Sequence, residues 1–204
     1  MINIGVLVSG RGSNLESILG EIKRGSIKGA RVSVVVSNNP EAKALQVAKK
    51  HGVAGVALGP SDSSESMGQA MVEVLKAHGV TPREGLVLLA GFMKILPKSF
   101  VDTFRGRIMN IHPSLLPAFP GIDAQRQALE YGVKVAGCTV HFVVPEVDAG
   151  PVVVQRAVRV AEGDSAQTLA ARILREEHKL YPEAVRLFVE GRLRIVGRRV
   201  LITP

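Results

Sequence analysis

At 204 residues, with 46% hydrophobic and 22% charged residues, the chain suits one large domain with a substantial core, and extensive disorder is excluded. A single cysteine, Cys138, excludes an internal disulfide framework and a cysteine-rich zinc site, and it fits a reducing compartment. The net charge of +8 raises a nucleic-acid reading, yet the basic residues are scattered except near Arg186, Arg192, Arg194, Arg198 and Arg199, and aromatics for base stacking make up only 4%.

In chain order, residues 4–8 are a short apolar run, followed by Ser9-Gly10-Arg11-Gly12-Ser13-Asn14 and a helical pattern at Leu15, Ile18, Leu19 and Ile22. Ser13 or Asn14 can cap that helix, whose free N–H groups and dipole favour a phosphate. Leu15 stands where a dinucleotide fingerprint has its third glycine, so a mononucleotide-type phosphate fits better. An ordinary tight turn with a capped helix stays open as the alternative. Residues 31–37 form a Val-rich strand, 42–50 a helix, 53–58 a third strand and 65–77 a helix. Residues 86–90 are a continuous apolar strand, as expected when helices cover both faces. Met93, Lys94, Ile95 and Leu96 then set one cation in an apolar segment at a strand's carboxyl end, where ligands collect in open α/β sheets. The segment suits a flat apolar ligand with an anionic tail, or plain core packing with Lys94 exposed. A short helix over 98–104 leads to a strand over 107–111.

Further on, 124–131 is helical, and 135–144 and 151–160 are strands. The connection over 145–150 is too short for a parallel crossover, so this pair is expected to be antiparallel at a sheet edge. Ser165 caps a long helix to about residue 189, which Pro182 should kink or interrupt. Residues 192–202 read as a small hairpin around Gly197. The alternation predicts an α/β fold: a doubly wound, mostly parallel sheet of about seven strands with an antiparallel edge.

The chemistry concentrates at Asn110-Ile111-His112-Pro113-Ser114-Leu115-Leu116-Pro117. Asn110 and His112 lie two residues apart in extended chain and project from one face. That sets an amide donor for a developing oxyanion beside an imidazole able to move a proton, half of an acyl-transfer site. Asp148, in the turn between the last two long strands, is the candidate carboxylate to orient the ring. An Asn and a His satisfied by backbone at a strand end is an equally good reading of these residues alone.

The motifs SGRGSNL, LAGFMKIL, NIHPSLLPAFPG, GCTVHFV, DAGPVVVQ and EEHKLYP, in this order and spacing, span essentially the whole chain. Through them the sequence resembles the folate-dependent phosphoribosylglycinamide formyltransferase family, whose fold is Rossmann-type. The resemblance implies formyl transfer from 10-formyltetrahydrofolate, as co-substrate, to the amine of glycinamide ribonucleotide in purine biosynthesis. It implies a single formyltransferase domain over 1–204, with a phosphate-binding half over about 1–100 and a catalytic, folate-binding half over about 101–204. By resemblance Asn110 stabilises the oxyanion, His112 supplies charge or a proton, and Asp148 holds His112 charged and relays protons through a water. Gly12, Ser13 and Asn14 would take the substrate phosphate, Glu177 the ribose, and Pro113 would lie in the same region. Met93, Lys94, Ile95 and Leu96, with Val144, Pro145, Glu146, Val147 and Asp148, would hold the folate. Lys94 stands where many members carry Arg, Ser64 where some place a second tail-binding Arg, and Asp123 where some have a histidine.

His141 and His178 also match family positions; His141 reads either as a group approaching the site or as a hydrogen-bonded structural histidine. His51 and His78 read as surface residues at helix ends. A metal on His112, His141 and Asp148 is disfavoured, because a ligand imidazole must be neutral and the role above needs it protonated. No metal, nucleic acid or membrane partner is expected, and the protein is expected to be a cytoplasmic monomer or homodimer acting on small molecules. Related tRNA formyltransferases and formyltetrahydrofolate hydrolases would need a further domain, for which 204 residues leave no room.

Overall fold

Apolar runs broken by glycine, proline and asparagine become strands and helices across all 204 residues of the computed structural model. They form two compact units, Met1–Asn110 and Ile111–Pro204. No helix is long and apolar enough to cross a membrane.

The first unit contains β1 (Ile2–Val8), α1 (Ser13–Lys23), β2 (Ala30–Ser37), α2 (Lys43–Lys50), β3 (Ala54–Ala57), α3 (Ser64–Ala77), β4 (Leu86–Leu89), α4 (Lys98–Thr103) and β5 (Ile108–His112), whose last two residues enter the second unit. Its strands run parallel in the order β3-β2-β1-β4-β5. Ile4, Val6, Leu7 and Val8 of β1 and Leu86, Val87 and Leu88 of β4 are all fully buried. They do not alternate with polar residues because both sheet faces are covered, and each buried Leu or Ile contributes roughly 1.5–3 kcal/mol. Strand order reverses between β1 and β4, the position where doubly wound sheets open a crevice at the strands' carboxyl ends. Two hydrogen bonds tie the loops there: Ser9 N–H to the Gly91 carbonyl at 3.1 Å and Met93 N–H to Ser9 Oγ at 2.8 Å.

The second unit contains α5 (Ala124–Tyr131), β6 (Val135–Phe142), β7 (Val152–Arg159), α6 (Ala166–Val189), β8 (Leu193–Val196) and β9 (Arg199–Ile202). The β6 and β7 strands are antiparallel, as expected from their short connection. At its base a Cβ on Gly150 would lie 1.7 Å from the Phe142 carbonyl oxygen, so only glycine fits that close approach. α6 packs on both strands and buries Leu169, Ile173, Leu180, Tyr181 and Val185. Its start is a capping box in which Ser165 Oγ accepts the Thr168 N–H at 3.2 Å and Thr168 Oγ1 accepts the Ser165 N–H at 3.0 Å.

Four expectations need correction. The protein has nine strands rather than about seven, because the C-terminal hairpin forms β8 and β9, and β9 pairs in parallel with β7 through Val152 and Arg199. Pro182 does not interrupt α6; the buried face on either side of it outweighs one lost backbone bond. Neither Ser13 nor Asn14 caps α1, because Gly12 occupies the N-cap with φ +83° and both lie inside the first turn. His51 and His78 are half-buried rather than on the surface, and His78 Nδ1 lies 2.8 Å from the Val74 carbonyl oxygen.

Candidate active site

In the first unit, the residues expected to take a phosphate begin α1. Gly12 adopts φ +83°, and a Cβ there would come within 2.7 Å of Ala44 Cα, so no other residue fits the turn. With glycine at the N-cap no capping side chain covers the helix start, the kind of helix end that favours an anion, and Asn14 is only 8% exposed there. After β4, Met93 and Ile95 are 77% and 71% exposed on either side of exposed Lys94, while Leu96 is buried. Two uncovered apolar side chains beside one cation fit a flat ligand that carries a carboxylate. Plain core packing of this segment is therefore confined to Leu96. Ser64 opens α3 as an exposed residue.

Asn110 and His112 are the third and fifth residues of β5, so strand alternation puts them on the same side. The His112 ring is buried, and its two nitrogens face different acceptors. Nε2 donates to the Phe119 carbonyl oxygen at 2.9 Å, and Nδ1 lies 3.4 Å from Asp148 Oδ2. Asp148 reaches this position from a left-handed backbone conformation, φ +51°, in the hairpin between β6 and β7. Its Oδ2 also accepts the Gly121 N–H at 2.8 Å, and its Oδ1 lies 3.6 Å from His141 Nε2. His141 in turn donates from Nδ1 to the Phe142 carbonyl oxygen at 2.9 Å.

Asp148 thus bridges two imidazoles, each held at its other nitrogen by a backbone carbonyl. A ring flanked by acceptors on both sides satisfies both only when both nitrogens carry hydrogen. The carboxylate is shaped by opposing influences. Burial alone would raise its pKa, but the hydrogen bond from His141, the Gly121 amide and the nearby His112 together hold it below the ordinary value. An amide two residues before a buried imidazole, with an ionised carboxylate behind that ring, can stabilise a developing oxyanion and deliver a proton beside it.

The remaining expected residues of the second unit are Pro113, half-buried after His112, and Val144, Pro145, Glu146 and Val147, which lead into the Asp148 turn with Val147 54% exposed. Glu177 is a buried carboxylate on α6. Burial first, then Glu177 and Glu176, push the Cys138 thiol up to about 12, which makes it an inert packing group. Asp123 turns outward to Arg126 at 3.1 Å, and His178 is half-buried on α6. No group of three or more His, Cys, Asp or Glu side chains is arranged to hold a metal ion.

Sequence reasoning left His141 open and missed the Phe119 carbonyl and the Gly121 amide altogether. Beyond its match to a family position, the signal for His141 was a histidine in a strand otherwise made of apolar and small residues. The ladder is irregular beside it: Val140 pairs with Val154 and His141 with Val152, which leaves Val153 of β7 as the extra residue.

The model of the Formyl transferase family matches residues 2–185. Phosphoribosylglycinamide formyltransferase of Escherichia coli strain K12 is 42% identical over 196 residues, covering 95% of this chain and 90% of that protein. The protein of the same name from Bacillus subtilis strain 168 is 39% identical over 188 residues, covering 91% of this chain and 94% of the other. Among solved structures, glycinamide ribonucleotide transformylase 1 from Symbiobacterium toebii superposes with a TM-score of 0.96 at 52% identity, over 100% of this chain and 95% of that one.

Proposed function

Since the chain belongs to the formyl transferase family, we propose that it transfers the formyl group of 10-formyltetrahydrofolate to the amine of N1-(5-phospho-D-ribosyl)glycinamide. The products are the N2-formyl ribonucleotide and tetrahydrofolate, in a step of de novo purine biosynthesis. The observation that carries the reading is Asp148 bridging the buried His112, two residues beyond Asn110.

As the substrate amine adds to the formyl carbon, its oxygen becomes negative, and the Asn110 NH2 donates to it. His112, charged between Phe119 and Asp148, stabilises the same oxygen and gives a proton to the departing nitrogen. Asp148 keeps the ring charged and returns the proton lost by the attacking amine through a water. Gly12, Ser13 and Asn14 bind the phosphate at the start of α1, Glu177 the ribose, and Pro113 borders the ribonucleotide. Met93, Lys94, Ile95 and Leu96 hold the folate together with Val144, Pro145, Glu146, Val147 and Asp148. The exposed apolar pair beside Lys94 supports this assignment.

We take the whole chain as one formyltransferase domain, cytoplasmic, acting on small molecules as a monomer or homodimer without nucleic acid. Asn110→Ala should cut kcat by about 10²–10³-fold, and His112→Ala and Asp148→Asn each by about 10²–10⁴-fold, with the far-ultraviolet circular dichroism unchanged. Near-wild-type turnover in any of them removes that residue from the chemistry.

A further inference from the structure

We propose that Thr139 and Gln155 are positioning residues that clamp the loop over residues 113–119 and thereby fix the ring of His112. The inference rests on the formyl-transfer reading above. That loop has no regular secondary structure, yet its last carbonyl, Phe119 O, is one of the two partners of the His112 ring. Something must hold it.

The holding group is the Thr139 hydroxyl, fully buried on β6. Its Oγ1 donates to the Ser114 carbonyl at 2.7 Å and accepts the Leu116 N–H at 3.1 Å. It also accepts the Gln155 Nε2–H at 2.9 Å, and the same amide nitrogen donates to the Leu116 carbonyl at 2.9 Å. A hydroxyl has one donor and two acceptor sites, so that of Thr139 is saturated. Thr139 and Gln155 are direct cross-strand partners in the β6–β7 pair, so a rigid ladder sets their spacing. The loop then closes on itself: Ser114 Oγ donates to the Ala118 carbonyl at 2.6 Å and the Ala118 N–H to the Leu115 carbonyl at 3.1 Å. Phe119 follows with φ +53° and presents its oxygen to His112 Nε2.

This chain of bonds runs from the β6–β7 ladder to the imidazole. The side chains of Thr139 and Gln155 act on the reaction only through the loop. Thr139→Val keeps the shape of the side chain but strands the Ser114 carbonyl and the Leu116 N–H, which must then move to find water. A loop displaced by about 1 Å would misplace the imidazole enough to cost about 10²-fold in kcat.

The test measures kcat, KM for the ribonucleotide and the imidazole ¹⁵N resonances of His112 in the wild type, Thr139→Val, Thr139→Ser and Gln155→Met. Thr139→Val should lose about 10²-fold in kcat, with a smaller change in KM where the loop borders the ribonucleotide, and the His112 resonances should shift. Thr139→Ser, which retains the hydroxyl, should restore both, and Gln155→Met should move both in the same direction by less. Unmoved resonances in Thr139→Val, full kcat, or failure of serine to restore it overturns the proposal. Should Thr139→Val fail to fold, exposed Gln155 supplies the same readouts, and a wild-type His112 signal in Gln155→Met then overturns the clamp. The resonances need no substrate, so they judge the clamp even if the wild-type enzyme proves inactive toward the ribonucleotide.

Discussion

Asp148 is the residue on which the site turns, because one carboxylate serves two buried rings and a backbone amide at once. Burial opposes its ionisation, yet the His141 hydrogen bond, the Gly121 amide and the His112 charge hold its pKa below the ordinary 3.8. A carboxyl with a depressed folded-state value binds fewer protons in the native than in the unfolded chain, so its contribution to stability is complete above 3.8. That contribution disappears as the pH falls through the lowered value. Below about pH 5, where ordinary histidines are already charged, the wild type should therefore be more stable than Asp148→Asn by a margin that shrinks on further acidification. Urea denaturation of both proteins over that range checks it; a margin that widens toward lower pH contradicts the assignment of Asp148 as the ionised bridge.

At the scale of elements, the helices do different work at their ends. α1 leaves its first-turn N–H groups without a side-chain cap, which suits an anion site, whereas α6 is closed by Ser165 and Thr168. The Asp164 carboxylate adds to that closure by accepting from Arg172 and from the Ala161 N–H, and these bonds pull its pKa down to about 2. Ser165→Ala should cost about 1 kcal/mol of stability and lower Tm while leaving kcat unchanged, since the cap serves the scaffold. Thermal unfolding followed by circular dichroism, with turnover measured alongside, decides it. The elements differ in how well they can be read in advance. Apolar runs at Val34, Val35 and Val36 or at Leu86, Val87 and Leu88 announce buried parallel strands without help from the rest of the fold. The membership of β9 in a sheet depends instead on one parallel pairing with β7, a tertiary contact that leaves no local pattern. Pro182 misleads for a related reason: its local effect is real, but the burial of Leu180, Tyr181, Ala184 and Val185 decides the outcome.

For the whole molecule, the +8 charge falls on a fold whose candidate chemistry is that of small anionic substrates. The approach of Asp148 to His112, and the place of Asn110 two residues before that ring, were legible because the backbone dictates these positions: alternate residues of a strand end, and the turn of a short hairpin. The groups that bond the two rings and the carboxylate are main-chain groups of Phe119, Phe142 and Gly121, and a carbonyl or an amide carries no residue type to read. The same holds for the Thr139 clamp, where an ordinary strand threonine acquires its role from a loop 25 residues earlier in the chain. The most direct test of formyl transfer to glycinamide ribonucleotide is to supply the purified protein with 10-formyltetrahydrofolate and follow tetrahydrofolate release with glycinamide ribonucleotide, with formyl-acceptor tRNA, or with water alone. Release that depends on glycinamide ribonucleotide, and ceases in Asp148→Asn, is the predicted result; equal release with tRNA or with water alone would contradict it.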